Sequence, residues 1–138
     1  MRRTGRIALR LKRQHLNEIV AHCRREAPLE ACGLMGGRAL AVHRVYLLAN
    51  QEKSAVNYRI DPREQLRVMK DIWGRGEELV AIFHSHPASP AYPSKTDIEL
   101  AYYPETAHLI VSLAAEDPSC RVFRIAEGKV GEGSLEII

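Results

Sequence analysis

Apolar and polar positions along this chain predict strands and helices that alternate in sequence. Residues 7–11 alternate apolar and polar side chains, which is typical of a half-exposed strand. Helical spacing follows over 12–26, and a helix that carries Leu66, Met69 and Trp73 on one face begins at Asp61–Pro62 and ends at Gly74. Apolar runs predict further strands at 31–36 (ending in a turn at Gly36–Gly37), 40–48, 79–83, 108–113, 121–126 and 134–138, with a short helix at 96–103.

This order of elements indicates the α/β fold class. Because the long helices fall between strands, we expect a mixed β-sheet flanked by helices. The last strands follow one another closely, which favours antiparallel pairing at that end. A chain of 138 residues is long enough for one core, so residues 1–138 are expected to form a single domain. Exposed edge strands would allow such a sheet to pair into a homodimer.

Composition is ordinary for a soluble globular protein, and we expect the protein to be cytoplasmic. The chain is 46% hydrophobic and 27% charged, and no apolar run approaches the roughly 18 residues that span a bilayer, so no membrane association is expected. The basic N-terminus is not followed by the apolar stretch and cleavage site of a signal peptide. Three scattered cysteines form neither a disulfide framework nor a Cys-x-x-Cys metal site, and free thiols in a reducing compartment are expected.

Positive charge is concentrated at the N-terminus. The basic residues there are Arg2, Arg3, Arg6, Arg10, Lys12 and Arg13, with no acidic residue among the first 13. Such an arm could contact nucleic acid or an acidic partner. No aromatic side chain is interleaved with these charges, so we expect a solvated strand and terminus and no nucleic-acid binding.

The sequence His84-Ser85-His86-Pro87 comes directly after the apolar run 79–83. Side chains alternate between the faces of a strand, so His84 and His86 are expected to project from the same face. Two imidazoles in this arrangement can bind one metal ion, with Asp97 from the next element as a third ligand. Three protein ligands and one open position are typical of a catalytic zinc site, so the pattern predicts a hydrolase.

Two other acidic positions have ordinary alternative interpretations. Ser94-x-x-Asp97 resembles the capping box of a helix, a role that is compatible with metal binding by Asp97. Glu30 alone would be interpreted as a solvated surface glutamate, yet a zinc hydrolase needs a base and an acid beside the metal, and one carboxylate can serve as both.

Cys32 shares the expected face of Glu30, but we interpret it as a core residue. His15, His22, His43 and His108 are expected to be surface or packing residues.

Together these residues resemble a known family motif. Glu30, then His84-Ser85-His86-Pro87, then Ser94-x-x-Asp97 is similar to the JAMM motif of MPN+ metallopeptidases, and the similarity extends to the segments 30–34 and 58–62. The resemblance implies the cytidine-deaminase-like α/β sandwich of that family. It also implies one Zn²⁺ per chain bound by His84, His86 and Asp97, with Glu30 as general base and acid. Ser94 would then hydrogen-bond the oxyanion.

The chain resembles the compact prokaryotic members of that family, and this resemblance implies a substrate class. They suggest a ubiquitin-like sulfur-carrier protein, cleaved after its C-terminal Gly-Gly with release of an amino-acid adduct such as cysteine or of a peptide extension. Three alternatives stay open: a RadC-like protein, a phage-tail-type peptidase with another substrate, and a non-catalytic MPN scaffold. A zinc deaminase is disfavoured because His-x-Glu and Pro-Cys-x-x-Cys are absent from the sequence.

Overall fold

A computed structural model describes residues 6–138 of the chain. Arg2 and Arg3 of the basic segment therefore lie outside the described residues. Within the described range the elements are β1 Ala8–Leu11, α1 Arg13–Glu26, β2 Cys32–Arg38, β3 Ala41–Leu48, α2 Pro62–Gly74, β4 Glu78–His86, α3 Lys95–Glu99, β5 Ala107–Ser112, β6 Ser119–Ala126, β7 Lys129–Glu132 and β8 Ser134–Ile137.

The strands form one mixed sheet in the order β7-β6-β5-β4-β2-β3-β1-β8. Pairing is parallel between β4 and β5, between β1 and β3, and between β1 and β8, and antiparallel elsewhere. The expected antiparallel pairing near the C-terminus is confirmed for β5, β6 and β7, whereas β8 joins the far edge beside β1. The backbone N–H of Gly133, between β7 and β8, donates to the Val122 carbonyl at 2.8 Å, so the two ends of the sheet approach each other.

Helices cover both faces of the sheet, as expected. Ile19 and Cys23 of α1 pack into the core on one face, which includes Met35 of β2 and Phe83 of β4. On the other face Val68 and Ile72 of α2 pack against a second cluster, whose strand residues are Cys32, Leu34, Leu48 and Ile82. A third cluster, formed by Ala91, Ile110, Phe123 and Ile125, lies beside α3 and is contacted by Ile98. Strand β4 is therefore at the centre of the fold, with both faces covered.

The position of the turn after β2 differs from the sequence prediction. Gly36 and Gly37 do not form a turn: β2 continues through them with a β-bulge, and the turn is at Ala39 and Leu40, whose φ angles are 51° and 62°. A Cβ atom at Gly37 would collide with the carbonyl oxygen of Ala41, so this glycine permits the close approach of β3.

The exposed face of α2 and the end of α3 are the other differences. Leu66 and Trp73 are 51% and 58% exposed, and Val68 and Ile72 form the buried face instead. Met69 of the predicted face is half-buried and packs against the second core cluster, as expected, whereas Leu66 and Trp73 lie on the exposed side of the helix. Helix α3 ends at Glu99, earlier than predicted, and β7 was not predicted.

The expectation of free thiols is confirmed among the described residues. All three cysteines are free, with Cys23 and Cys32 buried. The side chain of Arg6 donates to the carbonyls of Glu132 and Gly133, which ties this basic residue to the strand ends. No helix in residues 6–138 has the length and apolar character needed to cross a membrane.

Candidate metal centre and its surroundings

His84 and His86 are at the C-terminal end of β4 and share one face, as predicted. They are only 1% and 4% exposed. Ser85 between them points to the opposite face, where its Oγ accepts a hydrogen bond from the backbone N–H of Ala31 at 2.7 Å. The two imidazoles are thus buried beside each other by the strand alternation that the sequence predicted.

Asp97 is in the first turn of α3, where the capping box and the approach to the histidines coexist. Ser94 is the N-cap: its Oγ accepts from the backbone N–H of Asp97 at 3.0 Å, and its own N–H donates to Asp97 Oδ2 at 2.9 Å. These reciprocal bonds fix the carboxylate, and the helix N-terminus favours its negative charge. Both interpretations of Ser94-x-x-Asp97 therefore apply at once.

Three possible ligand atoms converge at this point. His84 Nε2 and His86 Nε2 are 3.2 Å apart, and each is 3.1 Å from Asp97 Oδ2. A tetrahedral zinc site with bonds of about 2.0–2.1 Å has ligand atoms about 3.3–3.4 Å apart, so this triangle is close to the size that zinc requires. Two imidazole nitrogens and one carboxylate oxygen are also ligand types that zinc binds. His84, His86 and Asp97 therefore form a group able to hold a metal ion.

The two histidines are oriented by different contacts. The Nδ1–H of His86 donates to the carbonyl oxygen of Pro90 at 2.8 Å, which fixes the tautomer and directs the Nε2 lone pair into the cluster. His84 Nδ1 is buried and has no hydrogen-bond partner among the described residues. The ring of Tyr58 stacks on His84, with ring centroids 4.7 Å apart and planes inclined by 23°.

Glu30 lies two residues before β2, on the same face as the histidines. Cys32 is opposite His84 in the antiparallel register, and the Ser85 N–H donates to the Ala31 carbonyl, so the pairing continues toward Glu30 and His86. Glu30 is 3% exposed, and its Oε1 has no partner among the described residues. The interpretation of Glu30 as a solvated surface residue is therefore wrong.

Burial dominates the electrostatics of Glu30. It raises the pKa of the Glu30 carboxyl to about 8, against the attraction of His86, and the negative charge of Asp97 raises that pKa further. Asp97 shifts in the other direction: burial alone would raise the pKa of its carboxyl, but the adjacent imidazoles of His84 and His86 outweigh burial and lower that pKa strongly. Two nearby carboxyl groups thus have pKa values pushed far apart, an arrangement characteristic of acid–base sites.

A cleft of about 220 Å³ opens beside the cluster. Its walls include His84 and Asp97, the aromatic side chains of Tyr58, Tyr102 and Tyr103, and His108. His108 is 6% exposed, its Nε2 has no partner among the described residues, and burial lowers its pKa to about 4. The packing interpretation of His108 missed its place in the wall of this cleft.

The positions of Cys32 and His22 in the fold decide between the roles that the sequence allowed for them. Cys32 belongs to the second core cluster, and its Sγ is directed to the carbonyls of Leu48 and Ala49, so the core interpretation is confirmed. His22 is also a packing residue, with Nε2 bonded to the carbonyl of Leu48. The sequence marks Tyr58 only as part of the motif segment 58–62. The signal that would have revealed its contact with His84 lies in the loop conformation, which local periodicity does not encode.

Comparisons with known proteins identify relatives of this chain. The family model described as prokaryotic homologs of the JAB domain matches residues 12–126. The CysO-cysteine peptidase of Mycobacterium tuberculosis is 38% identical over 128 residues, which cover 89% of this chain and 86% of that protein. The desampylase of Haloferax volcanii is 34% identical over 105 residues, covering 70% and 74% of the two chains.

A solved structure extends the similarity to the fold. The solution structure of a protein from Desulfitobacterium hafniense superimposes with a TM-score of 0.85 at 41% identity, covering 94% of this chain and 92% of that one. A JAB1/MPN domain protein from Archaeoglobus fulgidus superimposes with a TM-score of 0.61 at 19% identity, so the sheet flanked by helices is the JAB/MPN fold that the motif implied. The chain belongs to the prokaryotic homologs of the JAB domain.

Proposed function

We propose that this chain is a zinc-dependent peptidase or isopeptidase of ubiquitin-like sulfur-carrier proteins. It would hydrolyse the amide bond after the C-terminal Gly-Gly and release an amino-acid adduct, such as cysteine, or a peptide extension. The observation that carries the proposal is the convergence of His84, His86 and Asp97 at 3.1–3.2 Å beside the buried carboxyl of Glu30. We further propose that residues 1–138 act as one domain in the cytoplasm, in keeping with the free thiols.

His84, His86 and Asp97 would hold one Zn²⁺ per chain. When bound there, zinc supplies Lewis-acid polarisation of the scissile carbonyl and makes water a stronger acid. The three side chains need no large rearrangement for this, because their ligand atoms already converge. His86 is presented as a neutral ligand by its bond to Pro90.

Glu30 is the proposed general base and general acid. Its carboxylate takes a proton from the attacking water and later delivers it to the departing nitrogen. A base is most effective when its pKa lies near the working pH, and burial raises the pKa of Glu30 to about 8. Since Oε1 has no hydrogen bond to a described residue, this oxygen is not occupied by a structural role.

Ser94 is the proposed donor to the oxyanion of the tetrahedral intermediate. Its Oγ accepts the capping bond from Asp97, and the hydroxyl proton is not committed to any contact within residues 6–138. A donor of this kind, where it has been removed from other hydrolases, is worth about 3 kcal/mol of transition-state stabilisation. The cap bond orients the hydroxyl before substrate arrives, so little reorganisation is needed.

The substrate class rests on the relatives and on the shape of the site. The Mycobacterium tuberculosis relative is named for CysO-cysteine and the Haloferax volcanii relative is named a desampylase. The cleft beside His84 is small, at about 220 Å³, and its tyrosine-lined walls favour a thin, extended segment over a folded surface. Glycines at the end of a carrier tail fit because they add no side chains to such a passage.

The test is intact mass spectrometry of a carrier protein that bears a single cysteine after its Gly-Gly terminus. Incubation with the zinc-loaded protein is expected to trim the carrier to Gly-Gly, and a chelator is expected to stop the reaction until zinc is restored. A carrier with Gly-Gly replaced by Ala-Ala serves as the matched control. Intact adduct after incubation with zinc-loaded protein would contradict the proposed substrate class.

A further inference from the structure

The two histidines of the proposed metal site differ in what holds their rings. His86 has a hydrogen bond from Nδ1–H to the Pro90 carbonyl, the usual device that fixes a ligand imidazole. His84 has no such bond among the described residues, although its Nδ1 is buried. An imidazole on an sp³–sp² torsion has a broad energy minimum, so a ligand ring whose Nδ1 makes no hydrogen bond needs another restraint.

Tyr58 lies against the ring of His84. The two rings are stacked, with centroids 4.7 Å apart and an interplanar angle of 23°. Tyr58 itself packs against the cluster that contains Cys32 and Leu34, so its ring cannot move away freely. Stacking at this distance limits rotation of the His84 ring about its χ2 angle, because a tilt would separate the rings on one side and drive them together on the other.

Asn50 holds Tyr58 in place from both sides of its backbone. The Asn50 Nδ2 donates to the carbonyl of Asn57 at 2.9 Å, and Oδ1 accepts from the N–H of Arg59 at 3.0 Å. The same Nδ2 donates to the carbonyl of Glu30 at 3.0 Å. Asn50 is buried, so these bonds are shielded from water. One side chain thus fixes the residues flanking Tyr58 and connects them to the backbone of Glu30.

We propose that Tyr58 is a positioning residue that holds His84 in its metal-binding orientation by stacking, in place of the hydrogen bond that orients His86. This inference rests on the proposed metal site. The aromatic ring carries the role, and the hydroxyl group is not needed for it. Tyr58 acts through His84 and contributes no ligand atom of its own.

The experiment measures the zinc dissociation constant by competition with a chromophoric chelator. In Tyr58→Leu, which keeps apolar volume but removes the stacked ring, zinc binding is expected to weaken about tenfold to a hundredfold. In Tyr58→Phe, which keeps the ring, it is expected to stay within about twofold of wild type. Tyr103→Leu is the matched control, since Tyr103 lines the same cleft and makes no ring contact with either histidine among the described residues.

A second measurement separates ring orientation from a general loss of structure. The absorption bands of the cobalt-substituted protein report ligand geometry, and they are expected to shift in Tyr58→Leu and to match wild type in Tyr58→Phe. Circular dichroism of the metal-free variants establishes that they are folded, and Tyr58→Met replaces Tyr58→Leu should the latter not fold.

Two results would overturn the inference. Wild-type zinc affinity in folded Tyr58→Leu would mean that His84 needs no aromatic neighbour. Equal weakening in Tyr58→Phe and Tyr58→Leu would assign the effect to the hydroxyl. A failure of the wild-type protein to bind zinc is a distinct outcome, because it would overturn the proposed metal site as well.

Discussion

The nine residues of β4 serve different purposes on the two faces of the strand. On the α1 face Ala81 and Phe83 pack into an apolar core, and the buried hydroxyl of Ser85 is hydrogen-bonded to Ala31. On the other face Ile82 begins a row that ends in His84 and His86, which are just as buried but surround a polar cluster. One face therefore stabilises the strand, and the other places chemistry on it.

The two faces also differ in how many of their buried polar atoms lack a hydrogen-bond partner. Four buried side-chain polar atoms have no hydrogen-bond partner within the described residues. Three of them, on Glu30, His84 and His108, are on the face that carries the proposed metal ligands. The fourth belongs to Glu77, before β4. Buried polar atoms are normally paired, and an unpaired one costs about 1–3 kcal/mol. Their concentration on one face indicates that this face is arranged for a ligand, at some cost in stability.

The largest expected effect is on the polar face. Glu30→Gln removes the proton acceptor while keeping size and shape, so turnover should fall by roughly a hundredfold to ten-thousandfold. Zinc content should stay near one per chain, since Glu30 is not a proposed ligand. Steady-state kinetics on the carrier adduct, with metal analysis of the same sample, provides the check. Substantial remaining activity would make the assigned role wrong, and loss of zinc would make Glu30 a structural support.

Phe83→Ala tests the opposite face. Phe83 is fully buried among the α1 core residues, so truncation should lower the free energy of unfolding by about 3–5 kcal/mol. Zinc affinity of the folded fraction should hardly change, because the ring points away from the cluster. Urea unfolding and chelator competition give the two numbers separately. A large loss of zinc affinity with little loss of stability would contradict the division between the faces.

His108 provides a pH test. Burial lowers its pKa to about 4, against about 6.5 in the unfolded chain, so the unfolded state binds more protons between these values. This residue's contribution to stability is therefore complete above pH 6.5 and is lost as pH falls toward 4, by at most about 3 kcal/mol. Unfolding of metal-free wild type and His108→Leu, measured from pH 4 to 7, should show curves that diverge at low pH. Parallel curves would remove His108 from the set of buried neutral groups.

Ser85→Ala should have the smallest effect and completes the comparison within His84-Ser85-His86. Loss of its bond to the Ala31 N–H should cost about 1–3 kcal/mol of stability. Zinc affinity and the activity of the folded enzyme should be close to wild type, because the hydroxyl is on the core face. A loss of zinc comparable to that of a histidine substitution would show that the two faces are not independent.

Local patterns were sufficient to predict the convergence of the proposed metal ligands. Strand alternation predicted that His84 and His86 share a face, and the capping chemistry of Ser94 predicted that Asp97 is held in a first helical turn. Both rules operate over a few residues, so they can be applied without knowing the fold. Glu30 needed the family motif, because its burial depends on the pairing of β2 with β4 across a long stretch of sequence.

Sequence patterns failed where one residue type serves two purposes. Glycine allows both turns and close approach, and Gly36–Gly37 serve the latter while Ala39 and Leu40 make the turn. Tyr58 lies in an irregular loop whose conformation depends on the side chain of Asn50, so no periodicity reveals its contact with His84. Contacts made through loops have to be seen in three dimensions.

Native mass spectrometry of the protein purified with zinc tests the central claim most directly. The spectrum of wild type should show one zinc per chain, and single substitutions His84→Ala, His86→Ala and Asp97→Asn should each abolish or severely reduce it, while Glu30→Gln retains it. A wild-type chain without zinc, or full zinc occupancy in all three ligand variants, would contradict the metal centre on which this account depends.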